Sequence, residues 1–213
     1  MALLDPVHAV LSEYHRRYDM RQVEIRIDLL RPIFEDMGYV DKIYWERFFF
    51  KSKYIIAQIK TYLQDMGPYK GVGSYARIQF SENLNYCWTR FAICKEMYHC
   101  ILDAQPGSRI TNTGDLLTLS EYLTDDLLSE LADEADKFAP FETEKLAEIM
   151  AIETLIPIEL RRHLADALDG GLVTPHQIAL RYRIPEEYVG ISMSAGYFSA
   201  VIRGRDGKLV DLS

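Results

Sequence analysis

The segment Arg90-Phe91-Ala92-Ile93-Cys94-Lys95-Glu96-Met97-Tyr98-His99 holds the residues best able to do chemistry. Lys95 and His99 are four apart, so on a helix they share one face, with Glu96 beside it. This is the spacing of H-E-x-x-H, in which two histidines hold zinc and the glutamate handles the proton of a bound water. Here a lysine stands at the first position. An ammonium has no lone pair. It must lose its proton, against an ordinary pKa of about 10.4, before it can bind a metal. A second acidic pair, Glu144 and Glu148, follows at E-x-x-x-E spacing.

These residues need elements to position them. Tyr86 to Leu102 reads as a helix, with Trp88, Phe91, Ile93, Met97 and Ile101 for burial. Just before it, Tyr75 to Phe80 alternates with a period near two and reads as a strand. Lys70-Gly71-Val72-Gly73 is a plain turn, because neither a full phosphate loop nor a dinucleotide pattern surrounds it. Thr118-x-x-Glu121 resembles a capping box and opens an acidic helix to about Asp136. Pro140 precedes another helix, Glu142 to Ile156.

Upstream, residues 5 to 66 read as helical. Leu11, Tyr14, His15 and Tyr18 recur at helical spacing, followed by Val23, Ile27, Leu30 and Phe34. Pro32 kinks or divides the second helix, and Gly38 serves as its C-cap. Tyr44, Phe48, Ile55, Ile59 and Leu63 predict a third helix, ended by Gly67-Pro68. Downstream, Thr174-Pro175 opens a helix and Ile184-Pro185-Glu186-Glu187 opens another. The pair has the look of a helix-turn-helix. Its second helix begins with two glutamates, which repel phosphate, so it reads as a packing unit.

The chain has 213 residues, enough for one compact domain with an appendage. Hydrophobic residues are 48% and charged residues 26%, which excludes a disordered chain and a membrane-embedded one. The net charge of −8 argues against direct nucleic-acid binding. Cys87, Cys94 and Cys100 form no disulfide framework and suit a reducing compartment. The N-terminal residues do not look like a signal peptide. The apolar stretch Phe48 to Ile59 is broken by Lys51 and Lys53 and is far short of the roughly 20 residues that span a bilayer. The expected location is the cytoplasm, without membrane contact.

From Tyr75 to Met193 the sequence resembles the ImmA/IrrE family of zinc metallopeptidase-like proteins. The resemblance rests on Arg90-Phe91, Glu96, His99, Glu144, Ala147, Ala151 and Leu155-Ile156-Pro157, in the order and spacing of the family's motifs. It extends to a helical tail that includes Thr174-Pro175, Gln177-Ile178-Ala179 and Ile184-Pro185. The resemblance implies a zincin-like helix pair, with Glu96 as general base and His99 and Glu144 as zinc ligands. It departs at Lys95, which replaces the first ligand, and at Glu148, where the family has Asp or Asn. Catalytic zinc normally has three protein ligands and a water. Two ligands would hold it weakly unless another group, such as His163 or His176, stepped in. The cofactor expectation is therefore none, or weakly bound zinc. Lys95 could instead place its ammonium near the zinc position, pair with Glu144 or Glu96, and tie the two helices together.

Ordinary readings stand beside these. Outside the resemblance, Lys95-Glu96-x-x-His99 is a common surface helix face. Cys94 and Cys100 read as small buried hydrophobes. Arg90 reads as a tether to an acidic neighbour. The strand Tyr75 to Phe80, with Ala76, Arg77, Ile78 and Gln79, could pair with an extended peptide at a sheet edge, or could be internal.

The fold expected is α+β and mainly helical, with a small antiparallel sheet. Residues 1–68 form an N-terminal helical segment, 69–160 a metallopeptidase-like core, and 161–213 a helical tail. The function expected is that of a non-catalytic regulatory module binding a protein or peptide. The resemblance adds a phage, mobile-element or stress-response setting, with a helix-turn-helix repressor among the candidate partners. The alternatives are an active zinc endopeptidase acting on a regulatory protein, and a plain scaffold.

Overall fold

The fold is α+β and mainly helical. The computed structural model describes residues 4–18, 24–52, 55–69, 71–103 and 135–204. The expected acidic helix from Thr118 and the polar tail after Gly204 lie outside the described residues.

Helix α1, Asp5–Arg17, has Asp5 and Pro6 in its first turn and His15, Arg16 and Arg17 in its last, which complements the helix dipole. Val7, Val10, Leu11 and Tyr14 form its buried stripe. Helix α2, Ile27–Asp36, buries Ile27, Leu30, Ile33 and Phe34. Pro32 sits inside this helix and does not divide it. Gly38 follows with φ of +79°, a left-handed turn that glycine adopts without steric cost.

The third helix expected over Tyr44 to Met66 is absent. Two strands take its place: β1, Lys42–Phe48, and β2, Ala57–Asp65. Both pair with β3, Val72–Ser81, in the order β1-β3-β2. β1 runs parallel to β3, and β2 runs antiparallel to it. The sheet is thus mixed rather than antiparallel, and the segment expected to be wholly helical supplies two of its three strands. The chain crosses from β1 to β2 past the C-terminal end of β3. There Ser81 N–H donates to the Ile56 carbonyl at 2.8 Å and Glu82 N–H to the Phe48 carbonyl at 3.2 Å.

The central position of β3 corrects the expectation of peptide pairing at Ala76, Arg77, Ile78 and Gln79. Both sides of β3 are already hydrogen-bonded to neighbouring strands. Ala76 and Ile78 are fully buried on the core face. On the other face Gln79 accepts from Gln58 at 2.7 Å and donates to Glu46 at 2.8 Å. Arg77 alone is exposed, its guanidinium 5.6 Å from the Tyr62 ring.

Helix α3, Tyr86–Leu102, opens at Asn85, whose side chain accepts from Trp88 N–H at 3.0 Å. Every residue from Arg90 to Ile101 is buried. A helix buried all round is the centre of a core. It packs against the sheet, α2 and α4, Ala135–Leu155. Helix α4 begins before Pro140 and so exceeds the expected Glu142–Ile156 span. Four shorter helices follow: α5, Ile158–Asp169; α6, Pro175–Tyr182; α7, Glu187–Ser192; and α8, Ala195–Gly204. One buried apolar cluster runs through all three expected segments, from Leu4 to Val201. Among the described residues, no helix is long and apolar enough to cross a membrane.

Candidate functional site

The site forms where α3 faces α4. Helix α3 brings Lys95, Glu96 and His99 to one place, and α4 brings Glu144. The three α3 residues are buried, at 7%, 4% and 7% exposure, so their polar groups must find partners inside the protein.

The Glu144 carboxylate is shared. One oxygen accepts from the Lys95 ammonium in a close ion pair. The other lies 2.9 Å from His99 Nε2. Lys95 Nζ also lies 3.2 Å from Glu96 Oε1. On the far side of the imidazole, Nδ1 is 3.5 Å from Oδ1 of Asp103, the residue that caps α3. Two cationic side chains therefore sit among three acidic ones, and the Lys95–Glu144–His99 bridge joins α3 to α4.

The electrostatics follow from this crowding. Burial alone would lower the Lys95 pKa, but Glu144 and Glu96 outweigh it and raise it above the ordinary lysine range. Burial opposes a charge on His99 too, yet Asp103, Glu144 and Glu96 push its pKa up to about 9. Burial would raise Glu144, but Lys95 and His99 hold its carboxyl well below the usual range. Near neutral pH, His99 is thus an imidazolium that donates to Glu144.

These residues do not fit zinc. The Lys95 ammonium has no lone pair to offer, and it and His99 engage the two oxygens of Glu144. The Lys95 ammonium adds a positive charge between the carboxylates of Glu96 and Glu144. Among the described residues, no three His, Cys, Asp or Glu side chains are placed to hold a metal ion. His176 is exposed and sits 2.8 Å from Glu186, and His163 is exposed on α5; neither reaches the cluster.

Several residues around the site have structural jobs. Arg90 is buried and donates to the carbonyls of Tyr182 at 2.9 Å, Arg183 at 2.5 Å and Ile25 at 2.5 Å. Its Nε is 3.3 Å from Glu24. The tether thus reaches an acidic neighbour and, beyond that expectation, three main-chain oxygens. Burial pushes the Cys94 thiol up to about 12, which leaves it unreactive at neutral pH. Glu148 lies beside Lys145 at 3.1 Å rather than in the cluster. Tyr188 of α7 stacks on Phe91 with ring centroids 4.4 Å apart, holding the C-terminal helices against α3.

Asp103 and Tyr188 were not singled out from sequence. Asp103 stands four residues after His99, a helical spacing that signals contact. Nothing local marks Tyr188, because its partner lies on a distant element.

No family model, curated protein or solved structure matches this chain.

Proposed function

We propose that this protein is a non-catalytic, metallopeptidase-like module that regulates by binding a protein or peptide in the cytoplasm. The observation that carries the reading is the Lys95–Glu144–His99 bridge. It occupies the positions where the ImmA/IrrE resemblance would put zinc ligands. Charge pairing there holds α3 to α4 and leaves no open coordination position for a hydrolytic water.

Peptide pairing belongs at a different strand from the one expected. β2 is an edge of the described sheet and packs beside α3. Its outer main chain offers the pairing mode that β3 cannot, since added strands hydrogen-bond to exposed sheet edges. A helix-turn-helix repressor is the partner class that the resemblance supplies.

The test has two arms. Protein purified without chelator or metal-affinity tag is analysed by elemental mass spectrometry, before and after zinc addition. Substoichiometric zinc in both samples is expected, and about one zinc per chain would overturn the proposal. Mixing with helix-turn-helix repressors from the same genome should give an uncleaved complex on gel filtration. Repressor cleavage that is lost in Glu96→Gln would restore the peptidase reading.

A further inference from the structure

The crossing between β1 and β2 carries chemistry that the buried cluster does not use. The β1 end and the loop after it read Arg47-Phe48-Phe49-Phe50-Lys51. Phe49 is 66% exposed and Phe48 is 40% exposed. Phe50 is half-buried, and its ring lies 5.1 Å from that of Phe48. Phe48 and Phe50 thus pack against each other, with the exposed Phe49 between them in sequence, at the end of the sheet where β1 stops, and the three are called the wedge. Isolated exposed apolar residues are ordinary, but consecutive exposed phenylalanines mark a contact surface.

Charge says what kind of surface. Arg47 and Lys51 flank the wedge and are both exposed. Among the described residues neither makes an ion pair. The carboxylates nearest in the fold are Glu46, which accepts from Gln79 at 2.8 Å, and Glu82, whose backbone N–H donates to the Phe48 carbonyl. Two cations beside exposed phenylalanines make this end of the sheet basic and apolar in a chain of net charge −8. An acidic protein should be repelled by an anionic membrane in general, so a basic and aromatic tip is the part able to approach one. Aromatic rings favour the interfacial layer of a bilayer, and Arg and Lys beside them pair with anionic headgroups.

We propose that Arg47–Lys51 is a peripheral membrane contact. Phe48 and Phe49 enter the interface of an anionic phospholipid bilayer, and Arg47 and Lys51 meet its headgroups. This departs from the sequence expectation of no membrane contact. It needs no spanning helix and is independent of the regulatory reading of the buried site.

The test is co-sedimentation of the full chain with phosphatidylserine-rich vesicles and with pure phosphatidylcholine vesicles, at about 0.1 M salt, where charge is only partly screened. Binding to the anionic vesicles alone is expected. The double variant Phe48→Ser/Phe49→Ser should lower the partition coefficient at least about tenfold, because most of the inserted apolar surface is lost. Lys51→Glu should lower it about fivefold or more. Tyr69→Ser is the control, because Tyr69 is 98% exposed at the opposite end of the sheet; it should bind like the parent. Phe49→Trp should shift its emission to the blue when anionic vesicles are added. Absence of vesicle binding, equal binding by Phe48→Ser/Phe49→Ser, or equal binding to neutral vesicles overturns the proposal. A loop-dependent complex with another protein, without vesicle binding, would replace the membrane with a protein partner.

Discussion

His99 Nε2 lies 2.9 Å from Glu144 Oε2, so the imidazole of α3 and the carboxylate of α4 meet as a hydrogen-bonded ion pair within the core. Their contact makes folding stability depend on pH. The His99 pKa is about 9 in the folded protein, against an ordinary value near 6.5. A group with a raised folded pKa contributes stability that is fully present below its unfolded pKa. That contribution is lost as pH rises through the folded value. Stability measured by urea unfolding should therefore fall by about 1–3 kcal/mol between pH 6.5 and 9. His99→Gln should be less stable at pH 6 and show a flatter profile over this window. An unchanged slope in the variant would assign the titration to another group.

Lys95 and Glu144 should be strongly coupled. Removing one partner of a buried pair strands the other without compensation, so Lys95→Ala should cost about 3 kcal/mol. Glu144→Ala should cost as much, since it leaves both Lys95 and His99 without their shared carboxylate. The double variant should cost less than the sum, with a coupling of about 1–3 kcal/mol in a double-mutant cycle. Additive losses would show that the ion pair contributes nothing beyond its separate side chains.

Arg90 should be irreplaceable by lysine. Its fork reaches the carbonyls of Tyr182 and Arg183 on one side and Ile25 on the other. A single ammonium cannot span these directions. Arg90→Lys should lose about 2–4 kcal/mol, because buried carbonyls are left without donors. Hydrogen exchange should rise most in α6 and near Ile25. A loss under about 0.5 kcal/mol would put the tether among surface-like contacts.

The sequence made α1, α2, α3 and β3 legible for different reasons. Val7, Val10, Leu11 and Tyr14 form a clear helical stripe, and Asn85 starts α3 with a side-chain cap. β3 shows its period of two because Ala76, Ile78 and Phe80 all face the core. β1 and β2 imitate a helix because a spacing of four fits a period of two as well as one of 3.6. Tyr44 and Phe48 fall on one face of β1, and Ile59 and Leu63 on one face of β2, where Gln58, Lys60 and Gln64 alternate with Ala57, Ile59 and Leu63. Tyr44, Tyr75 and Tyr62 stack on the outward face of the sheet at 6.2 and 5.6 Å. In the site, Lys95, Glu96, His99 and Glu144 were legible from spacing. The charge on His99 was not, since it comes from Asp103, Glu144 and Glu96, which the fold gathers around the ring against the opposing effect of burial.

Lys95→His tests whether the α3–α4 pair can serve as a metal scaffold. The substitution removes the ammonium from Glu144 and adds a neutral donor one turn before His99. Two imidazoles and one carboxylate with an open fourth position suit zinc, and Asp103 beside Nδ1 can orient the His99 ring. Zinc must displace the proton that Glu144 and Asp103 hold on His99, so affinity should rise with pH toward about 9. The variant should take up about one zinc per chain by elemental mass spectrometry, and added zinc should raise its Tm. The parent should show neither effect. If Lys95→His also fails to bind zinc, the two helices do not hold their donors in a metal-binding arrangement. The Lys95–Glu144–His99 bridge would then stand as a core ion pair with no metal site to replace.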